Sequence, residues 1–125
     1  MTLPTSKIGK TEVAVTQLGF GSAPLGELFD RVSSSQAEAT LEAAWKAGIR
    51  YFDTAPFYGH GKSEHRVGHF LQDLPRNEFA LSTKTGRVLT PAKTKDFSSK
   101  YWGYPLPFDF YYDYSYDGIM RAFEG

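Results

Sequence analysis

Three residues whose side chains can move a proton lie close to the ends of two predicted strands. Asp53 ends the apolar run 49–53, and Tyr58 follows it by five positions. Lys84 ends the next apolar run, 79–84. A buried lysine and carboxylate near a tyrosine would favour its phenolate form, because cationic charge stabilises a deprotonated phenol. Such a tyrosine can donate a proton to a carbonyl oxygen or accept one from an alcohol, which predicts a proton-transfer site.

The elements before Asp53 follow one another as hairpin, strand and helix. Segment 7–15 alternates around a Gly-Lys-Thr turn, which predicts a short hairpin. Segment 16–26 predicts a short strand that opens into a glycine-rich loop. A helix is predicted from Ser35, because Ser35 and Glu38 have the spacing of a capping box and the apolar residues that follow recur on one face. Gly48 ends this helix as a left-handed cap residue.

A strand followed by a helix then occurs a second time. Strand 49–53 is followed by a predicted helix over 63–74, whose apolar residues have helical spacing and which Pro75 ends. Strand 79–84 comes next. Strands that alternate with helices pair in parallel through right-handed crossovers, so the chain is predicted to have an α/β fold.

The predicted strand ends bring the candidate residues to one face. Ligands of parallel α/β folds bind at the carboxyl ends of the strands. Gly21 and Ser22 follow the first strand, while Asp53 and Lys84 end the next two. The chain has no Gly-x-Gly-x-x-Gly pattern and no phosphate-loop lysine motif, which disfavours a Rossmann site.

Composition excludes several classes of function. The 125 residues are 41% hydrophobic and contain no repeat, so residues 1–125 are expected to form one unit. Fourteen basic residues balance fourteen acidic ones, and the balance argues against nucleic acid or a membrane as partner. The chain has no cysteine, and therefore no disulfide or thiol nucleophile. We expect a soluble protein of the cytoplasm.

The three histidines predict no metal site. His65 and His69 could share a helix face, but no third ligand and no carboxylate completes a metal motif. His60 lies in the loop 57–61 beside Tyr58, where it is a weaker candidate for contact with substrate.

Several of these segments, taken together and in order, resemble the amino-terminal signature of the aldo-keto reductases. These are NAD(P)-dependent enzymes built on a (β/α)8 TIM barrel. The matching segments are 18–21, 23–26, 48–55, 58–59 and 63–64. Segments 63–68 and 113–118 are similar to the branch that oxidises free sugars, the aldose or L-fucose dehydrogenases, with pyridoxal dehydrogenases nearby. The resemblance implies a hairpin followed by about the first three β/α units of a barrel, apparently truncated.

The resemblance also implies a role for each candidate residue. Tyr58 would be the general acid or base, Lys84 would favour its phenolate, and Asp53 would hold Lys84 in a buried ion pair. Gly21 and Ser22 would lie beside the nicotinamide ribose and carboxamide of NADP or NAD, with Asp53 and Lys84 also bordering the cofactor. The substrate would be a small carbonyl compound or a sugar, interconverted between carbonyl and alcohol.

The chain departs from the family pattern in its later part. The family's catalytic histidine on the following strand and its segments for pyrophosphate and adenine have no counterpart here. Segment 116–125 predicts only the first turns of the third barrel helix, and the last strand would leave an unpaired edge through which the chain could self-associate. We therefore expect an isolated fragment without activity. The alternative is a noncatalytic truncated remnant or interaction module; a metal-dependent sugar isomerase ranks last.

The aromatic segment 101–116 has two open interpretations. In the family this region forms a loop over the site, so its rings could face the substrate. Packing of the rings in a core or within the loop is the other interpretation.

Overall fold

An antiparallel hairpin opens the chain in the computed structural model, which describes residues 2–94 and 99–124. Its strands are β1 (Thr5–Lys7) and β2 (Ala14–Thr16), with Thr5 opposite Thr16. Gly9 has a φ of +56° in the turn, a conformation that glycine adopts without steric cost. The predicted hairpin is confirmed.

Three short parallel strands form the sheet that carries the candidate residues. They are β3 (Phe20–Gly21), β4 (Tyr51–Asp53) and β5 (Ala80–Ser82). The strands lie in the order β3-β4-β5, and the register places Gly21 beside Asp53 and Asp53 beside Ser82. The predicted parallel α/β architecture is confirmed, although the strands are shorter than predicted and Lys84 lies two positions beyond β5.

Helix α1 (Ser34–Lys46) begins earlier than predicted. Its N-cap is Ser33, whose hydroxyl accepts a hydrogen bond from the Gln36 backbone N–H. The Gln36 side chain in turn accepts from the backbone N–H of Ser33 at 2.9 Å. The capping box assigned to Ser35 and Glu38 is therefore wrong, because the first of three consecutive serines finds a glutamine at the same spacing. Gly48 follows the helix with a φ of +95°, as predicted.

The core lies between the sheet and the two helices α1 and α2 (Lys62–Leu71). Phe52 has no exposed surface and contacts the rings of Trp45, Phe20 and Phe70 at centroid distances of 6.4, 5.8 and 6.5 Å. Burial of one such side chain contributes about 2 to 3 kcal/mol. The buried members of the core are Leu25, Ala37, Leu41, Ala44, Ile49, Phe52, Val67 and Leu71.

A second antiparallel hairpin follows the sheet, and the sequence did not predict it. Its strands are β6 (Arg87–Pro91) and β7 (Phe108–Tyr112), with Arg87 opposite Tyr112. The two strands are separated by far more than the two to five residues of a recognisable hairpin turn, which explains the missed prediction. Helix α3 (Tyr116–Glu124) confirms the third helix. None of the described helices is long and apolar enough to cross a membrane.

Candidate active site

Asp53 and Lys84 form an ion pair at the carboxyl ends of the strands. The Lys84 Nζ atom lies 2.8 Å from Asp53 Oδ2 and donates a second hydrogen bond to the Thr54 carbonyl oxygen at 2.9 Å. The hydroxyl of Ser82 donates to the other carboxylate oxygen, Oδ1, at 2.6 Å. The predicted convergence of Asp53 and Lys84 is therefore observed, and their catalytic role stays a prediction.

The ion pair is open to water. The side chain of Asp53 is 35% exposed and that of Lys84 is 50% exposed. The prediction of a buried pair is wrong, because Lys84 lies beyond β5 in the exposed stretch 83–85.

The two charges shift each other's pKa. Burial raises the pKa of Asp53, but hydrogen bonds from Lys84 and Ser82 and the charge of Lys84 outweigh it and hold the value below 3.8. Burial likewise lowers the pKa of Lys84, and the interactions with Asp53 and Tyr58 outweigh it and raise the value above 10.5. Both groups are therefore charged at neutral pH.

Tyr58 lies beside the Lys84 ammonium, with 4.9 Å between Nζ and the centroid of the ring. Its backbone is fixed from two sides. The N–H donates to the Ala55 carbonyl oxygen at 3.1 Å, and the carbonyl accepts from the Ser63 N–H at 3.0 Å. Gly26 packs directly against the Tyr58 carbonyl. The three predicted catalytic residues thus lie together.

A chain of buried hydroxyls links the strand ends to α2. Thr54 Oγ1 lies 3.0 Å from Ser63 Oγ, which donates to Ser22 Oγ at 2.7 Å. Ser22 Oγ then donates to the Asp53 carbonyl oxygen at 2.7 Å. Ser22 has no exposed surface, whereas Gly21 is exposed, with no heavy atom within 4 Å of the position of an added Cβ. Contact of either residue with a cofactor stays a prediction.

His60 connects the Tyr58 loop to the second hairpin. It is buried, and its Nδ1 lies 2.6 Å from the Phe108 carbonyl oxygen. The imidazole packs against the rings of Phe57 and Phe110 at 5.2 and 5.9 Å. Contact of His60 with substrate stays a prediction. In the described part of the chain, no three His, Cys, Asp or Glu side chains are placed to hold a metal ion.

A cavity of about 370 Å³ opens beside Tyr58 and Lys84. Its lining residues are Ala55, Pro56, Phe57, Tyr58, Lys84, Thr85, Arg87, Tyr112 and Tyr114. Tyr112 and Tyr114 belong to the aromatic segment and form a wall of this cavity. The sequence analysis did not identify Arg87 as a site residue. Segment 87–91, Arg-Val-Leu-Thr-Pro, has no apolar/polar alternation that would have predicted its strand.

Trp102 lies behind Tyr58 as a buried support. Its ring is 5.9 Å from that of Tyr58 and 5.5 Å from that of Phe57. The Trp102 backbone forms an isolated antiparallel β-bridge with Leu28. Next to it, the Gly103 N–H donates a hydrogen bond to the Glu27 carbonyl oxygen at 2.8 Å. For Trp102, packing is therefore the correct one of the two interpretations of the aromatic segment.

Glu27 is a buried acid that the sequence prediction missed. Its side chain is 4% exposed and lies 3.2 Å from Lys62 Nζ and 3.7 Å from an Arg66 nitrogen. Lys62 Nζ forms an ion pair with Glu27 Oε2, but the contact does not have the geometry of a hydrogen bond. Glu27 also has a φ of +67°, which few non-glycine residues adopt. The cluster joins α2 to the loop that carries Gly26.

Comparison with known proteins places this geometry in a family. Residues 17–120 match the model of the aldo/keto reductase family. The chain is 45% identical over 126 residues to pyridoxal 4-dehydrogenase of Microbacterium luteolum, across 94% of this chain and 36% of that protein. It is 58% identical over 79 residues to D-threo-aldose 1-dehydrogenase of a Pseudomonas species, across 63% of this chain and 24% of that protein.

The fold has a matching counterpart among solved structures. An aldo-keto reductase from Bacillus halodurans, solved in its holo form, superposes with a TM-score of 0.71 at 25% identity. The match covers 98% of this chain and 34% of that one, so the described residues correspond to about a third of a TIM barrel. The chain belongs to the aldo/keto reductase family and has the fold of the first part of its barrel.

Proposed function

We propose that this chain carries the proton-transfer part of an NAD(P)-dependent oxidoreductase that interconverts a carbonyl and an alcohol. The observation that supports this most directly is the position of Lys84, which pairs with Asp53 at 2.8 Å and lies 4.9 Å from the Tyr58 ring. Lys84 stays charged at neutral pH, because its pKa is raised. A fixed cation beside a phenol stabilises the oxyanion that remains after proton transfer.

Each of the three residues has a separate task in this proposal. Tyr58 donates its proton to the substrate oxygen in reduction and accepts a proton from the alcohol in oxidation. Lys84 stabilises the phenolate, and Asp53 holds Lys84 at the strand ends. Only Tyr58 exchanges a proton with the substrate.

NADP or NAD is the proposed cofactor, and the exposed backbone at Gly21 fits a flat ring. The open space where a Cβ would stand lets a nicotinamide approach the strand end closely. Gly21 would border it, with Asp53 at the end of β4 and Lys84 beyond the end of β5. Ser22, which has no exposed surface, would support this strand end from inside the fold. When bound, the nucleotide supplies or accepts the hydride.

The proposed substrate is an aldose or a small aldehyde-like compound. The two relatives are named for the dehydrogenation of D-threo-aldoses and of pyridoxal. The match to pyridoxal 4-dehydrogenase covers nearly the whole chain and so includes the hairpin that lines the cavity.

A noncatalytic remnant or interaction module is the second candidate, and the exposure of Lys84 favours it. A half-exposed ammonium is screened by water and interacts weakly with neighbouring groups. We therefore expect the 125-residue chain to turn over far more slowly than its longer relatives.

Two further proposals concern partners and location. The edge strand β5 pairs only with β4 among the described residues, and Leu81 on it is 43% exposed, which supports self-association through this edge. A cytoplasmic location is proposed from the cysteine-free sequence, which fits a reducing compartment.

The test combines nucleotide binding with single-turnover kinetics on the purified chain. NADPH and NADH are titrated by fluorescence to measure binding. For turnover, pyridoxal or L-fucose is added with NAD+ or NADP+ at high protein concentration, and the reduced nucleotide that forms as the substrate is oxidised is followed by absorbance at 340 nm over hours. We expect binding of at least one nucleotide. In Tyr58→Phe, turnover should fall by a factor of about 100 or more with nucleotide affinity unchanged.

The exposed Tyr116 provides the control. Tyr116→Phe removes a hydroxyl outside the cavity and should leave turnover at the wild-type rate. Failure of both nucleotides to bind would overturn the oxidoreductase proposal and favour the noncatalytic module.

A further inference from the structure

The cavity beside Tyr58 is lined by two cations and no carboxylate. One of them, Lys84, has its counter-ion in Asp53. The other, Arg87, takes part in none of the ion pairs that the described residues form. The lining therefore carries one positive charge without an acidic partner.

Arg87 is held by aromatic groups instead of an acid. Its Nε and Nη2 donate to the Tyr112 hydroxyl at 3.1 and 2.8 Å. The guanidinium lies 3.9 Å from the centroid of Phe57 and 5.0 Å from that of Phe110. These contacts fix the plane of the guanidinium and leave Nη1 without a hydrogen bond to any described residue. The arginine is half-buried, so its guanidinium is only partly screened by water.

The walls of the cavity are flat. Tyr112 and Tyr114 stack with ring centroids 6.1 Å apart and planes 12° from parallel. Phe57 forms the side on which the guanidinium lies. A volume of about 370 Å³ is at the small end of the range for ligand pockets, which suits a single ring with short substituents.

We propose that Arg87 binds a carboxylate of the substrate, so that this site takes small planar-ring alcohols and aldehydes that carry a carboxylate. The fork of an arginine matches the two oxygens of a carboxylate, and the aromatic walls would hold the ring. Arg87 is thus a specificity residue that touches substrate at the end remote from the proton transfer. This inference rests on the proposed function: of the two substrate classes named there it selects the aldehyde-like compounds over the aldoses, and it adds a planar ring and a carboxylate to them.

The test is a binding titration that needs neither nucleotide nor turnover. The 125-residue chain is titrated with 4-(hydroxymethyl)benzoate, with its neutral analogue 4-(hydroxymethyl)benzamide, and with L-fucose, by calorimetry and by NMR shifts of the aromatic side chains. Alcohols are used because aldehydes react with lysines. We expect the benzoate to bind about tenfold more tightly than the amide, with shifts at Tyr112 and Tyr114.

Arg31 provides the matched control, since its guanidinium also stacks on a ring, that of Tyr104 at 3.8 Å, but lies outside the cavity. Arg87→Met should abolish the preference for benzoate, whereas Arg31→Met should retain it. Arg87→Lys keeps the charge and should keep part of the preference, which covers the case in which the methionine variant fails to fold.

Three outcomes overturn the proposal: equal binding of benzoate and benzamide, tighter binding of L-fucose, or a benzoate preference that survives in folded Arg87→Met. The result is separable from the proposed function. Nucleotide-dependent turnover without a benzoate preference would refute only the substrate class. A benzoate preference without nucleotide binding would refute only the oxidoreductase.

Discussion

Gly26 lies so close to the Tyr58 backbone that a Cβ atom added to it would come within 2.5 Å of the Tyr58 carbonyl carbon. Gly59 faces it from the other side, where an added Cβ would lie 2.6 Å from the Gly26 carbonyl oxygen. Both neighbours are backbone atoms, so neither can rotate away. The position of the candidate acid therefore depends on the absence of a side chain at residue 26.

We expect Gly26→Ala to displace the Tyr58 loop and to destabilise the fold by about 3 kcal/mol, because the new methyl group overpacks a rigid contact. Urea unfolding followed by circular dichroism measures the free energy. The control is Gly68→Ala in α2, where no heavy atom lies within 4 Å of the added Cβ. That change should stabilise by about 1 kcal/mol, since alanine is the better helix former. Equal stability of the two variants would contradict the close approach.

The Asp53–Lys84 ion pair gives the stability of the chain a pH dependence. The pKa of Asp53 is lowered in the fold, so its contribution is present above 3.8 and is lost as pH falls through the lowered value. The pKa of Lys84 is raised, so its contribution is present below 10.5 and is lost as pH rises through the raised value. Between these limits the pair adds a constant amount.

Lys84→Met should move the Asp53 pKa upward, because the largest opposing cause, burial, remains while the ammonium is removed. NMR titration of the Asp53 carboxyl carbon measures this shift directly. Lys46→Met is the matched control, since Lys46 pairs with Glu42 on the exposed surface of α1 and not with Asp53. An unchanged Asp53 titration in Lys84→Met would show that the pair does not form in solution.

The parts of the fold that follow local patterns were predictable, and those that depend on distant partners were not. Gly48 as a left-handed cap and the parallel strands followed from composition and spacing. The burial of Glu27 did not, because its partners Lys62 and Arg66 lie on a helix more than thirty positions away. At the site, residue types at the strand ends predicted the meeting of Asp53 with Lys84. Their exposure depends on what covers the sheet, which local pattern does not encode.

Ser63 is expected to matter for stability although it lies outside the proposed chemistry. Its hydroxyl joins Thr54 to Ser22 and has no exposed surface. Ser63→Ala leaves both partners with an unmade hydrogen bond in the interior, so we expect a loss of about 1 to 3 kcal/mol. Thermal unfolding measures it. Ser35 occupies the equivalent second position of α1 but is exposed, so Ser35→Ala should stay within about 0.5 kcal/mol of the wild type. If Ser35→Ala lost as much stability as Ser63→Ala, the loss would come from the serine's position at a helix N-terminus and not from the buried hydrogen bonds.

Glu27→Gln tests whether the buried acid holds the support behind Tyr58 in place. The substitution keeps the shape of the side chain and removes its charge, while Lys62 and Arg66 remain 16% and 14% exposed. Lys62 and Arg66 would then carry largely buried positive charges with no carboxylate to compensate them, which destabilises the fold. We therefore expect the free energy of unfolding to fall by about 3 kcal/mol. Arg66 keeps its hydrogen bonds to the carbonyl oxygens of Leu25 and Val32, which limits the loss.

The control for Glu27 is Glu42, an acid that pairs with Lys46 on the exposed surface of α1. Glu42→Gln should change the free energy of unfolding by less than about 1 kcal/mol, because an exposed pair contributes little. Tryptophan fluorescence adds a second readout, since Trp102 is tied to the Glu27 backbone through Gly103 and should become more exposed to quenchers when the cluster loosens. If Glu27→Gln were as stable as Glu42→Gln with Trp102 still protected, the cluster would have no part in positioning the wall behind Tyr58.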